Sequence, residues 1–207
     1  MLYLIRHGET DWNREHKIQG VTDIPLNEKG HEQALLLAQK LRNIPFDRIY
    51  SSHLLRAYST AQNIASLNGT VNTVLSDERL RERTFGAYEG LTLREIVTEL
   101  EQKYNCLLPN FDPSFDWFGD TEVERIEAVA ARLMLFLDDV SRESSLPICA
   151  VTHGGVMKVL MDTVLGIPYT APRRYAIPNC AVMTLKKKKE VWFLHSFSGI
   201  DDFGGQI

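Results

Sequence analysis

Apolar positions along this chain recur with two spacings, and the spacing changes at short polar or glycine-containing breaks. The opening run MLYLI is uninterrupted and stops at Arg6-His7-Gly8, which predicts a short buried strand closed by a turn. Residues 27–42 place Ala34, Leu37, Ala38 and Leu41 on one face, the spacing of a helix. DRIYSS at 47–52 predicts a second strand, 54–67 a helix, and 73–75 a third strand. Two capping boxes, Thr92-x-x-Glu95 and Thr121-x-x-Glu124, announce further helices. The second of these carries an apolar stripe of Ile126, Val129, Ala130, Leu133, Phe136, Leu137 and Val140. PICAVT at 147–152 is a buried strand that runs through His153-Gly154-Gly155 into the helical pattern VMKVLMDTVLG. AVMTL and VWFLHSF predict a terminal hairpin, with the lysines of KKKKE keeping its turn solvated.

Strands alternating with helices imply an α/β three-layer sandwich: a mostly parallel central sheet with helices on both faces. In such sheets ligands bind beyond the carboxyl ends of the strands, where His7, Ser52 and His153 all fall. Residues 105–120 break the pattern with two prolines, four aromatics, three aspartates and no Lys or Arg. That segment is the candidate for a lid, or for a homodimer surface.

Composition narrows the partners. A chain of 207 residues fits one domain, and 44% hydrophobic with 24% charged residues is ordinary for a globular protein. A net charge of -4 gives no overall attraction to nucleic acid or to an anionic membrane, and no apolar run approaches bilayer length. Cys106, Cys149 and Cys180 are too few and too widely spaced for a disulfide framework or a zinc site, which fits a cytoplasmic protein.

The chemistry concentrates where strands end. His7 and His153 each follow a buried strand and precede a glycine, so adjacent strands would bring both imidazoles to one cleft; a glycine at 8 or 154 also lets a ligand approach closely. Arg6 adjoins His7, and Arg56 lies about one helical turn beyond Ser51-Ser52, so two guanidinium forks are placed to converge on a tetrahedral dianion.

Four segments recur in order: R-H-G-E-T at 6–10, S-S-H-L-L-R-A at 51–57, L-R-E-R-T-F-G-A-Y-E-G at 80–90 and T-H-G-G at 152–155. With these the chain resembles the histidine phosphatase superfamily, in its phosphoglycerate-mutase-like branch, over nearly its whole length. The resemblance implies a single domain over 1–207 with a lid-like insertion around 83–120. It makes His7 the nucleophile that forms a phosphohistidine and Glu82 the general acid and base. Arg6, Arg56 and a protonated His153 become the catalytic phosphate pocket, and Asn13, Gln19, Gly20 and Gly154 its substrate-binding neighbours.

Glu9 then braces the loop and Glu89 is structural. No metal and no cofactor is implied, because the cations take the place of metal ions around the transferring oxygens. The expected activity is hydrolysis of small phosphate monoesters. The alternative is a cofactor-dependent phosphoglycerate mutase, which needs further cations for a second anionic group. The cation-free stretch 105–124 favours a less anionic, partly apolar ester, unless Arg81, Arg83 or Arg94 supplies the charge.

Overall fold

The structure is a computed structural model and describes residues 1–105, 122–143, 146–169, 175–199 and 201–202. Its main sheet comprises β1 (Leu2–Arg6), β2 (Arg48–Ser51), β3 (Val74–Ser76), β4 (Ile148–Thr152), β6 (Val182–Lys188) and β7 (Val191–Ser198). Their order is β3-β2-β4-β1-β6-β7. The first four run parallel, and the last two return antiparallel. A separate two-stranded sheet pairs β5 (Tyr175–Ala176) with β8 (Asp201–Asp202). The helices are α1 (Asp11–Arg14), α2 (Glu28–Leu41), α3 (Leu55–Leu67), α4 (Leu93–Tyr104), α5 (Ile126–Glu143) and α6 (Gly154–Leu165).

The period of two along each strand builds the three layers. Leu2, Leu4, Tyr50, Ile148 and Ala150 face one side, where they pack with Val129, Leu133, Phe136, Leu137 and Val140 of α5 and Met157 and Leu160 of α6. Ile5, Ile49, Cys149 and Val151 face the other, against Leu37, Ala38 and Leu41 of α2 and Ala57, Ala61 and Ile64 of α3. A smaller cluster of Tyr88, Ile96, Leu100 and Val123 gives the base of the expected insertion its own core. The remainder of that insertion, with Cys106, Phe111, Asp112, Phe115, Asp116, Trp117, Phe118 and Asp120, lies outside the described residues.

Two local expectations change. The box at Thr92 forms as expected, with Thr92 and Glu95 exchanging hydrogen bonds, but α5 begins at Ile126 rather than just after residue 121. Glu124 therefore precedes the helix, and its carboxylate is taken by Arg81 and Arg132. In the terminal hairpin Lys186, Lys187 and Lys188 belong to β6, and the turn is made by Lys189 and Glu190, both at positive φ. A two-residue turn of that hand matches the twist of the strands it joins.

At the carboxyl edge of the parallel strands the backbone is stitched side to side. His7 N–H donates to Thr152 O at 3.0 Å and Ser52 N–H to Val151 O at 2.9 Å, while Arg6 N–H reaches Ala181 O at 3.0 Å. This brings residues from β1, β2, β4 and the start of β6 to one edge.

Candidate active site

His7 leaves β1 and is 3% exposed. Its Nδ1 lies 2.6 Å from the carbonyl oxygen of Gly8. A carbonyl only accepts, so Nδ1 carries the proton and Nε2 keeps its lone pair. Burial, reinforced by the charges of Arg56 and Arg6, holds the His7 pKa well below 6.5. His153 packs against it with ring centroids 5.2 Å apart, and its Nε2 is 2.9 Å from Ser52 Oγ. Burial, then Arg56 and His7, depress the His153 pKa in the same way. The site as built therefore favours a neutral His153.

Arg56 is fully buried at the start of α3. Its Nη1 donates to Thr22 O at 2.9 Å and its Nη2 to Gly20 O at 2.7 Å. Burial lowers its pKa to about 10, which still leaves it charged at neutral pH. Arg6 donates from Nη1 to Ile177 O. Five buried side-chain polar atoms lack a partner among the described residues, and four of them gather here: Arg6 Nε, Arg56 Nε, His153 Nδ1 and Gln19 Oε1. Unpaired buried polar groups are costly, so their concentration in one place marks a site built to receive a polar ligand.

Glu82 is held from both sides of its carboxylate. Arg83 N–H donates to Oε1 at 2.8 Å, and Gly155 N–H, from the first turn of α6, donates to Oε2 at 3.1 Å. A Cβ on residue 155 would lie 2.6 Å from Oε1, so the close approach requires glycine.

Asn13 caps the start of α1 in a capping box with Thr10 and also accepts from Asn179 Nδ2 at 3.2 Å. Glu9 is tied to Asn27 and Lys29, and Glu89 accepts from Val21, Thr22 and Phe85, so both brace loops as expected. The glycines at 8 and 154 also permit close packing within the protein: Cβ atoms there would meet Gly30 O at 2.4 Å and Arg6 Nε at 3.2 Å.

Arg6, His7, Asn13, Gln19, Gly20, Arg56, Glu82 and Gly154, expected from widely separated segments, all line one cavity of about 270 Å³. His153 abuts it through His7. Among the described residues no group of three or more His, Cys, Asp and Glu side chains is placed to hold a metal ion, and no helix is long and apolar enough to cross a membrane.

The family model for the histidine phosphatase superfamily, branch 1, matches residues 2–198. The chain belongs to that superfamily. A probable phosphoglycerate mutase, GpmB, of Erwinia tasmaniensis is 34% identical over 193 residues, covering 92% of this chain and 86% of its own. The phosphoserine phosphatase of Entamoeba histolytica, solved in complex with 3-phosphoglyceric acid, is 32% identical with a TM-score of 0.73 over 95% of each chain. A mycobacterial glucosyl-3-phosphoglycerate phosphatase, solved with VO3, is 28% identical with a TM-score of 0.78, covering 94% of this chain and 96% of its own. This histidine phosphatase superfamily member thus stands among phosphatases and a probable mutase.

Several lining residues of this histidine phosphatase superfamily member escaped the sequence reading. Lys17, Ile18, Phe85, Lys158 and Val159 all face the cavity. Helical spacing from Gly154 and Gly155 would have found Lys158 and Val159, which lie four residues on. Of Arg81, Arg83 and Arg94, only Arg83 lines the cavity; Arg81 is paired with Glu124. Asn179, whose Nδ2 donates to His7 O at 3.0 Å, carried no signal in the sequence.

Proposed function

We propose that this enzyme hydrolyses small phosphate monoesters through a phosphohistidine on His7, with Glu82 as the acid and base. The observation that carries this reading is the Nδ1 hydrogen bond of His7 to Gly8 O, which leaves Nε2 as an unprotonated nucleophile in a buried, cation-rich pocket. Nε2 attacks phosphorus in line as the ester P–O bond breaks. The leaving oxygen takes a proton from Glu82. Water then attacks the phosphohistidine, its proton passing to Glu82, and inorganic phosphate leaves with His7 restored.

Arg6 and Arg56 stabilise the transferring oxygens throughout. Burial and then the guanidinium charges keep His153 neutral in the free site; a bound dianion offsets those charges and favours protonation of His153.

A second reading is a cofactor-dependent phosphoglycerate mutase. Lys17, Arg83 and Lys158 favour it, because they line the cavity beside the phosphate cradle and supply cations for a second anionic group. They also remove the reason to expect an uncharged leaving group. Hydrolysis is preferred on the phosphatases among the similar solved structures.

The test is phosphate release from a panel of monoesters, with chelator present, by wild type and His7→Ala. Release that vanishes in the variant supports the hydrolase. No release from any ester, with phosphoglycerate interconversion on adding a bisphosphoglycerate primer, establishes the mutase instead.

A further inference from the structure

The main chain of Glu82 is gripped by an ion-pair cluster of Arg81, Glu124 and Arg132, none of which lines the cavity. Arg81 forks onto Glu124, with Nη1 2.7 Å from Oε2 and Nη2 2.9 Å from Oε1. Arg132 of α5 approaches the same carboxylate, with Nε 3.0 Å from Oε1 and Nη2 3.3 Å from Oε2. Both guanidinium groups then reach past Glu124 to one acceptor, the Glu82 carbonyl oxygen: Arg81 Nη1 at 3.0 Å and Arg132 Nη2 at 3.4 Å.

The backbone of Glu124 completes the cluster. Its N–H donates to Thr84 O at 2.9 Å, and its carbonyl accepts from Arg83 Nε at 2.5 Å. Glu124 therefore holds Arg81 and Arg132 through its carboxylate and Arg83 through its backbone carbonyl, and Glu82 lies between Arg81 and Arg83 in the chain.

A buried ion pair is weak evidence for stability, since desolvating its charges offsets much of their attraction. Glu124 and Arg132 are only 11% and 13% exposed, so the cluster bears that cost. Its geometry suits control of position better. The Glu82 carboxylate is fixed at its tip by Arg83 N–H and Gly155 N–H, and the peptide behind it is fixed by Arg81 and Arg132. The shared carboxylate lies between the two guanidinium groups, and each has one further anchor: Arg132 Nη1 donates to Arg79 O, and Arg81 Nη1 to Thr84 Oγ1 at 3.3 Å.

We propose that Glu124 is a positioning residue for proton transfer, acting through Arg81 and Arg132 to set the place of Glu82 relative to the leaving-group oxygen. This rests on the reading of Glu82 as the proton donor. Glu124 also joins Val123, in the small core with α4, to Ile126, which lines the cavity. The base of the insertion and the acid are thus tied by the same residue.

Leaving groups separate this role from a merely structural one, because an alkyl phosphate needs the proton and p-nitrophenyl phosphate scarcely does. Kinetics on both esters would be measured for wild type, Glu82→Gln, Glu124→Gln and Arg81→Lys, with thermal unfolding of each. Glu82→Gln is expected to lose on the order of a hundredfold in kcat on the alkyl ester while partly sparing the aryl ester. Glu124→Gln is expected to lose about tenfold on the alkyl ester, with the aryl ester little changed. Arg81→Lys keeps the charge but not the fork, and shows the same split more mildly; it decides the question if Glu124→Gln does not fold.

Equal losses on the two esters, or no loss, in Glu124→Gln and Arg81→Lys overturn the positioning role when Glu82→Gln keeps its split. Absence of the split in Glu82→Gln overturns the acid assignment itself, and the role of Glu124 with it.

Discussion

Gly8 and Gly30 interlock. A Cβ on Gly8 would lie 2.4 Å from the Gly30 carbonyl oxygen, and a Cβ on Gly30 would lie 2.0 Å from the Glu9 carbonyl oxygen. The first turn of α2 is thereby pressed against the loop that carries His7. These contacts are with backbone, which cannot rotate away as a flexible side chain does. Gly30→Ala is expected to destabilise the fold by about 1–3 kcal/mol and to lower turnover by shifting the His7 loop. Thermal unfolding and kcat measured together check this; an unchanged melting temperature refutes it.

The two histidines make stability depend on pH. Above 6.5 both are neutral in the folded and the unfolded chain. Below 6.5 the unfolded chain binds protons that the folded chain resists, since burial and the neighbouring arginines depress both folded pKa values. Stability therefore falls as pH drops from 6.5 toward the folded values. Melting temperatures between about pH 5 and 8 should show this decline, and the variant His7→Asn/His153→Asn should flatten it. An equal slope in the variant would assign the decline to other groups.

Arg56 is both a cavity-lining cation and a strut. Its two terminal nitrogens hold Thr22 O and Gly20 O, and a lysine cannot span both acceptors. Arg56→Lys is expected to lower kcat on the order of a hundredfold, and Arg56→Ala to cost a further 1–3 kcal/mol, roughly, for each carbonyl left unpaired. Steady-state kinetics on Arg56→Lys and denaturant unfolding of Arg56→Ala measure the two parts separately.

Asn179 acts by donating to His7 O and Asn13 Oδ1 at 3.0 and 3.2 Å. Aspartate keeps its shape but turns the donor into an acceptor facing two acceptors. Asn179→Asp is therefore expected to lose more activity than Asn179→Ala, which itself loses about tenfold. Wild-type kinetics in Asn179→Asp would show that the contacts do not matter.

Much of this was present in the chain itself. The period-two strands, the helical face of 27–42 and the break after each buried strand determined which residues end at the carboxyl edge. The resemblance carried by the four motifs, rather than periodicity, then implied Arg6, His7, Arg56, Glu82 and His153 as site residues. Local sequence suffices for the edge because hydrophobic period and turn chemistry act between residues a few positions apart.

What it did not contain was the pairing of distant groups. The capping-box pattern at Thr121 promised Glu124 to a helix start, yet tertiary contacts with Arg81 and Arg132 claimed its carboxylate. The downward shift of the His153 pKa comes from its burial and from the guanidinium groups that the fold gathers around it. Lys17, Lys158 and Asn179 reach the site through the packing of separate elements. Protonation and partner choice depend on desolvation and on distances across the fold, which no spacing along the chain encodes.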